Sequence, residues 1–587
     1  MANAVLKRIS PIAMLLPLIA CSSHPPRAPL KQEKGDYGYV KTYMTWFTKK
    51  EMREKGIIGL SIALVDDQKI VWQQGFGYAD LKNKLEATPE TRYRAGSISK
   101  LFTGMAAMKL VEAGKMDIDH PLVTYLPEFR IKSRFGDTNG ITPRTIMTHH
   151  SGLPSEWMSG MFTKQPQPFD KLVKKIKNDY VSYPPNTTMS YSNLGVTLLG
   201  HAVKNVSGQD YAAFVDQSLL KPMGMINSQF ETGISGSHSS KSYAKGKEIV
   251  EYPLRDMPAG GLNTTVIDLA RLAMLVNNKG KLNNQQIISP ATLDAMFQVQ
   301  NKHVPLDVGN KIGLAWFINT KILAEEDPVF EHDGGTIAHR SSFKVAPKSK
   351  LGVIVMANTN SADTGKIAQK LLQMAWEAKN GVELPKMEIP GQLNSSADFE
   401  GTYSTLVGKV DIHQKSPNRY KVNTSYGTFN LDREENGGYR LNYRLLGIVP
   451  IDLEELSEIV FSTDTISGQH VIIGESNNYR FAGVRLEPHP IHEAWKHRLG
   501  EYKLLNPAEV YKFFQIEKLE LKIEGDYLVF ATPGPEGNST LVLRTVNAQE
   551  AIFEGYGRGL GETLRIIRDE EGEEILIRSG LRYKRIP

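Results

Sequence analysis

The chain has 587 residues, of which 41% are hydrophobic, 9% aromatic and 23% charged. That is an ordinary globular balance, which excludes a wholly disordered or collagen-like polypeptide and leaves room for about two to four domains. Its 70 Lys and Arg against 64 Asp and Glu leave a formal charge of only +6. No basic run is interleaved with aromatics, which argues against nucleic acid as a main partner, and no run reaches the roughly 18 apolar residues of a membrane-spanning helix, which excludes a bundle of such helices.

Lys7 and Arg8 precede an apolar run over 9–19 broken by Pro11 and Pro17, and Ala20 stands just before Cys21. A basic start, a short apolar stretch and a small residue form the pattern of an export signal, expected here over residues 1–20 and removed from the mature protein. Cys21 is the single cysteine of the chain, and the segment around it resembles the lipobox of bacterial lipoproteins. The resemblance implies that Cys21 is lipidated and holds the protein on a membrane through acyl chains. Ser22 and Ser23 follow where an aspartate would signal inner-membrane retention, so the implied location is the outer membrane, facing the periplasm. With no second cysteine, disulfides are not expected and stability has to come from packing. Residues 21–36, rich in Ser, Pro and mixed charge, read as an extended tether.

Two β-type segments at 60–65 and 70–74, separated by Asp66-Asp67-Gln68-Lys69, predict an opening hairpin. β-Branched and aromatic runs return only at 314–318, 341–346 and 351–357, followed over 363–379 by a helical period through Ile367, Leu371, Leu372, Met374 and Ala375. The intervening patterns are mostly helical. Early and late strands around a helical middle predict an α/β (α+β) fold with one composite sheet and a groove beside the insert. Beyond Pro390, short segments such as 420–422, 459–462 and 527–531, split by Asn, Gly and Pro, predict a β-rich region. It reads as duplicated: Phe399-Glu400-Gly401-Thr402-Tyr403 is echoed by Leu499-Gly500-Glu501-Tyr502, and Phe481-Ala482-Gly483-Val484-Arg485 by Arg578-Ser579-Gly580-Leu581-Arg582. The expected units are 37–388, 389–490 and 491–587, the last two forming two small barrels or the halves of one.

Ser97-Ile98-Ser99-Lys100 places a hydroxyl and an amine three residues apart at the start of an apolar helical run, on one helix face. A serine becomes a nucleophile when a neighbouring base takes its proton, and N–H groups at a helix start can hold the negative charge that develops on an attacked carbonyl. Ser218/Lys221, Ser242/Lys245 and Ser341/Lys344 share the spacing, but these fall late in a helical pattern, in a polar loop and in a strand, where positions i and i+3 face opposite ways. Tyr191-Ser192-Asn193 follows Pro184-Pro185-Asn186, so a loop can present a phenol able to relay protons. Taken alone it reads better as a loop tyrosine with a capping asparagine. Glu331-His332-Asp333-Gly334-Gly335-Thr336 leads into the 341–346 strand, where the glycines would let a substrate backbone pair along an edge with His332 toward the groove.

Other signals point away from other chemistries. His149-His150 and His489 with His492 lack a carboxylate or cysteine at ligand spacing, so no metal is expected. Gly555, Gly557, Gly559 and Gly561 miss the nucleotide-binding pattern and predict a tight β-turn. No Gly-x-Ser-x-Gly elbow occurs, which removes an α/β-hydrolase.

Ser-x-x-Lys, Tyr-x-Asn and a His-x-Gly ahead of a strand, in that order, resemble the penicillin-recognising serine hydrolases: class C β-lactamases, D-Ala-D-Ala carboxypeptidases, D-aminopeptidases and esterases. Ile141-Thr142-Pro143-Arg144-Thr145-Ile146-Met147-Thr148-His149-His150-Ser151-Gly152-Leu153-Pro154, Tyr191-Ser192-Asn193-Leu194-Gly195, Lys221-Pro222-Met223-Gly224-Met225 and Ala259-Gly260-Gly261-Leu262 extend the resemblance over about residues 37–380. It implies a β-lactamase-like antiparallel sheet flanked by helices, with an all-helical subdomain. It also implies that Ser97 attacks a carbonyl, that Lys100 and Tyr191 exchange its proton, a positive Lys100 favouring the phenolate, and that Asn193 orients substrate or lysine. The N–H groups of Ser97 and Gly335 would form an oxyanion hole, with His332 and Gly334 beside the substrate and no cofactor required. His332 stands where β-lactamases of the family carry lysine and is a weaker partner for a carboxylate. The implied substrate is therefore a small peptide, amide or ester, with D-amino-acid-containing peptidoglycan fragments among the candidates. A true β-lactamase or DD-carboxypeptidase is the second reading. A non-catalytic envelope binding protein working through its barrels is the third. The family's D-aminopeptidases also carry two β-barrel domains behind the catalytic one, an arrangement that the duplicated region after Pro390 resembles.

Overall fold

The computed structural model describes residues 24–29, 33–236, 238–384, 398–434, 437–445, 449–451, 459–476, 479–508, 510–511, 516–533 and 539–587. The expected signal segment and Cys21 lie outside them. Helix α1 (Gly38–Lys55) leads into β1 (Gly59–Asp66), β2 (Lys69–Asp80) and β3 (Leu85–Glu86). Much later come β4 (Lys311–Ile312), β5 (Phe317–Asn319), β6 (Val329–Gly335), β7 (Arg340–Ala346) and β8 (Leu351–Ala357). All eight join one antiparallel sheet in the order β4-β5-β6-β7-β8-β1-β2-β3, in which β1 pairs with β8 from Leu60 opposite Ala357 to Asp66 opposite Leu351. The composite sheet expected from the two strand groups is therefore present.

Its central strands are apolar at almost every position because helices cover both faces. Leu60, Ile62, Leu64, Val353 and Val355 join a core with α1 and α5 (Thr364–Asn380), while Ala63, Val65, Ile354 and Met356 join a larger core with α2 (Ser99–Glu112) and α4 (Val266–Asn277). The insert contributes α2, α3 (Asn193–Ser207) and α4 among shorter turns. Every residue of α2 from Ser99 to Met108 is buried or nearly so. Such a helix, apolar around its circumference, belongs inside a core. Lys100 is carried inside with it.

The β-rich region forms two rings, which settles the choice left open by the sequence. Eight antiparallel strands from Gly401–Thr405 to Arg480–Arg485 close through pairing of Gly427–Arg433 with Tyr439–Leu445, and eight more from Gly500–Leu504 to Leu581–Arg585 close as a second barrel. Closure pairs the strands of each ring edge to edge, and one further strand, Val449–Ile451, pairs with Tyr439–Leu445. The rings are built alike: Gly401 (φ 139°) and Gly500 (φ 131°) open the first strands, each packed against an arginine of the last strand, Arg485 and Arg585. Tyr403 pairs with Arg485 as Tyr502 pairs with Arg585. The C-terminal echo is thus corrected by three residues, because Arg485 corresponds to Arg585 and not Arg582. The first barrel packs Val471, Ile473 and Val484 on Leu306 and Val308 of the helical insert. The second barrel packs on its other loops, with Ile337 of the β6–β7 turn in its core cluster.

Candidate active site

Ser97 lies in the 3-10 turn Gly96–Ile98 that runs into α2. Ser99 fixes this turn, its hydroxyl donating to the Gly96 carbonyl (2.6 Å) and accepting from the Leu262 N–H (3.0 Å). One turn on, Lys100 Nζ donates to Ser97 Oγ at 3.0 Å and to the Ala259 carbonyl at 2.8 Å, with the residue only 1% exposed. The other Ser/Lys pairs are engaged elsewhere. Ser218 donates to the Phe214 carbonyl and Ser341 to the Ala95 carbonyl, and Lys221 and Lys344 pair with Asp216 and Glu331. Ser242, expected in a loop, sits in the short strand Ser242–Ala244.

The Tyr-x-Asn segment arrives at the start of α3. Ser192 caps that helix, accepting from the Gly195 N–H at 2.8 Å, so Tyr191 and Asn193 flank a fixed point. Tyr191 faces the same pair: Lys100 Nζ lies 4.8 Å from the Tyr191 ring centroid, and Ser97 is among the groups that act on the Tyr191 phenol. The hydroxyl, amine and phenol read from distant parts of the sequence thus converge. Asn193 turns its amide to Glu156 Oε1 at 2.7 Å rather than to Lys100.

On the opposite side runs β6. Its neighbour β5 pairs only with Val329, Phe330 and Glu331, so from His332 to Gly335 that edge of the strand is open. The Thr336 N–H donates to the His339 carbonyl at the hairpin, and the antiparallel alternation then turns the Gly335 N–H away from β7, toward the open edge. A Cβ on Gly96 would lie 2.8 Å from the Gly335 nitrogen, and one on Gly334 only 2.0 Å from the Ala95 carbonyl oxygen. These glycines let β6 close directly on the turn that holds Ser97. His332 is 3% exposed, with its ring 6.2 Å from Tyr191 and 5.3 Å from Phe317. Its Nδ1 donates to the Asp333 carbonyl at 2.7 Å, which leaves Nε2 as the acceptor.

Burial dominates the electrostatics. It pulls the Lys100 amine down to about 7, with Arg558 pushing the same way and Glu156 and Asp256 opposing. It pushes the Tyr191 phenol above its ordinary value, against the expected phenolate: removing a charge from water costs more here than Ser97 and the Arg558 guanidinium return. His332 is held down to about 4 by burial and by Lys100. A neutral amine 3.0 Å from a serine hydroxyl can accept its proton, and the phenol can pass one on.

Sequence reasoning missed two groups. His149, in a left-handed conformation (φ 60°), stacks on Tyr191 with centroids 4.2 Å apart, and its Nδ1 accepts from the Ser192 N–H at 3.2 Å. In the sequence it stood within the 141–154 segment without a role of its own and as half of a discarded metal pair. The glycine-rich run 555–561, expected as a tight turn, is a loop of the second barrel seated against the site. Tyr183 donates to the Gly555 carbonyl (3.0 Å), Ser190 to the Gly557 carbonyl (3.1 Å), and the Gly559 N–H to Ser155 Oγ (2.8 Å). Arg558 at its tip reaches Glu156 Oε1 at 2.5 Å. The contacts span about 400 positions in sequence, and local patterning carries no signal for them.

A β-lactamase-type sheet beside a helical insert, with Ser97, Lys100 and Tyr191 at their junction, defines the class. Residues 43–373 match the Beta-lactamase family model, more than half of the chain, and the chain belongs to that family. Protein flp of Staphylococcus aureus (strain COL) is 28% identical over 333 residues, 55% of this chain and 64% of that protein. The unguisins hydrolase ungD' of Aspergillus campestris is 26% identical over 322 residues, 52% of this chain and 59% of that protein. The chain thus spans less than two thirds of the curated relatives it matches. Among solved structures, the octameric penicillin-binding protein homologue from Pyrococcus abyssi superposes with a TM-score of 0.51 at 23% identity, over 75% of this chain and 99% of its own. That likeness is one of fold.

Proposed function

We propose that the protein is a serine hydrolase acting by acyl transfer on Ser97. The observation that carries the reading is the hydrogen bond between the buried Lys100 amine and the Ser97 hydroxyl at 3.0 Å, with the Tyr191 ring 4.8 Å from the same amine. In this reading Ser97 Oγ bonds to the substrate carbonyl carbon while its proton passes to neutral Lys100 Nζ. The oxyanion accepts from the N–H groups of Ser97 and Gly335, each donor of this kind contributing roughly 3–4 kcal/mol. The bond to the leaving group breaks as the proton returns through Lys100 and Tyr191 to the departing nitrogen or oxygen. Water then attacks the acyl-enzyme by the same route in reverse and frees Ser97.

The substrate class follows from the walls of the site. Neutral His332 stands where a cation would bind a β-lactam carboxylate, which disfavours β-lactams. The open edge of β6 suits an extended backbone, and the 555–561 loop narrows the approach. A small peptide, amide or ester fits, including D-amino-acid amides from peptidoglycan. Lipidation of Cys21 would place this chemistry in the envelope, and metabolic labelling with an alkynyl fatty acid, compared with Cys21→Ser, tests that part.

The test of the reaction is intact-mass analysis after exposure to a fluorophosphonate or a fluorescent penicillin, with Ser97→Ala as control. One adduct on the wild type and none on the variant is expected. Equal labelling of Ser97→Ala would remove Ser97 as nucleophile. Turnover of D-amino-acid amides, acyl-D-Ala-D-Ala peptides, aryl esters and a chromogenic cephalosporin then sorts the substrate classes.

A further inference from the structure

Glu156 forms part of the wall of the site, with its side chain 13% exposed. Its Oε1 accepts from Asn193 (2.7 Å) and from Arg558 (2.5 Å), while its buried Oε2 has no hydrogen-bond partner. The Arg558 guanidinium carbon lies 5.2 Å from the Tyr191 ring centroid, the same ring that Lys100 Nζ approaches to 4.8 Å. Two basic side chains and one carboxylate are therefore gathered around one phenol. The Arg558 guanidinium comes from a barrel more than 350 residues beyond the ring it faces. The loop that carries it is held at both flanks by the bonds from Tyr183, Ser190 and Ser155. Ser155 also gives its carbonyl to the Asn193 N–H at 2.9 Å, so the barrel loop and the start of α3 share one support.

Resting on the acyl-transfer reading, we propose that Arg558 is a positioning residue. By pairing with Glu156 it draws that carboxylate's charge away from Lys100, leaves the amine free to accept the Ser97 proton, and makes the second barrel a working part of the active site. Without the guanidinium, Glu156 would stand as an uncompensated anion beside Lys100 and hold it as an ammonium, which cannot act as a base. The remaining groups around Lys100 do not substitute for this pairing. Asp256 is already bound by Arg255 at 2.6 Å, and His149 and His332 are kept neutral by burial. Ser97 and Tyr191 carry no charge in the resting site.

The experiment uses the full chain and measures acylation of Ser97 by p-nitrophenyl acetate against pH, with intact mass locating the acyl group. Arg558→Gln is expected to move the midpoint of the rise with pH upward by about one unit and to slow acylation at pH 7 roughly fivefold. Glu156→Gln should move the midpoint downward. The double variant should return it to the wild-type position, and Arg558→Lys should keep most of the wild-type profile. A support that merely shapes the loop would lower rates without moving the midpoint, and an unmoved midpoint in Arg558→Gln, or no restoration in the double variant, overturns the inference. If Arg558→Gln fails to fold, the direction of the Glu156→Gln shift decides. Wild-type protein that takes no acyl group on Ser97 removes the acyl-transfer reading itself, whereas an acylated wild type with an unmoved variant removes this inference alone.

Discussion

Lowering the pH from 8 to 5 should slow acylation of Ser97 by close to a hundredfold, with the midpoint near 7. The number comes from Lys100: burial of its amine, set against the pull of Glu156 and Asp256, leaves it at about 7. Below that value the neutral fraction falls about tenfold per pH unit, from roughly nine tenths at pH 8 to about one hundredth at pH 5. The two nearby histidines do not supply this limb, because His332 is held down to about 4 and His149 well below its ordinary range. Tyr191, raised by burial, stays a phenol throughout. Glu156 is raised by burial as well, so Glu156→Gln is the control that assigns the limb, which should persist in it at a lower midpoint. Stopped-flow acylation with an aryl ester, corrected for spontaneous hydrolysis, gives the profile. A rate that climbs tenfold per unit through pH 9 with no plateau would mean an ordinary exposed lysine near 10.4, and a flat profile from 5 to 8 would mean that Lys100 is not the base. Lys100→Arg, whose guanidinium keeps its proton across this range, should lose the limb together with at least about a hundredfold in rate.

Tyr191→Phe should lower kcat about a hundredfold by removing the relay, and near-normal turnover would refute that role. Gly334→Ala should destabilise the catalytic domain by about 1–3 kcal/mol, since its Cβ would lie 2.0 Å from the Ala95 oxygen; an unchanged thermal midpoint would show that β6 does not close on the Ser97 turn as described. Glu251 is buried, which alone would raise it, yet His339, with Nδ1 3.5 Å from Glu251 Oε2, and Arg94, 3.8 Å from Oε1, hold it at about 2, below its ordinary 4.5. A depressed carboxyl stabilises the fold above its unfolded value and loses that contribution as pH falls through the folded one. Glu251→Gln should therefore cost about 3 kcal/mol at pH 7, with the gap to wild type closing between pH 4.5 and 2. Denaturant unfolding at several pH values would show it, and a gap independent of pH would contradict it.

Much of the fold was legible because it rests on local periodicity. The run at 351–357 reads as a strand and is one, as β8, which the fold buries on both faces, with Ile354 and Met356 in one core and Val353 and Val355 in the other. Ser97 and Lys100 were legible because one helical turn separates them, and Tyr191 and His332 because each stands in a short segment of recognisable form. Ser242, taken for a loop residue, was misread because its strand spans only three residues. The Arg485–Arg582 echo failed because it matched letters, whereas the barrels repeat the packing of a first-strand glycine against a last-strand arginine.

The sequence by itself determined the elements, the composite sheet and the placing of Ser97 and Lys100 one helical turn apart, since each depends on residues a few positions apart or on a fixed motif order. Only the tertiary structure decided the environment of these groups. Burial lowers the Lys100 amine and raises the Tyr191 phenol, against the phenolate that the motif implied, and burial belongs to the packed chain and not to a motif. It also brought Arg558 to Glu156 across 402 positions, because a closed barrel can hold a loop wherever its outer surface docks, and no periodicity in the chain records where that is.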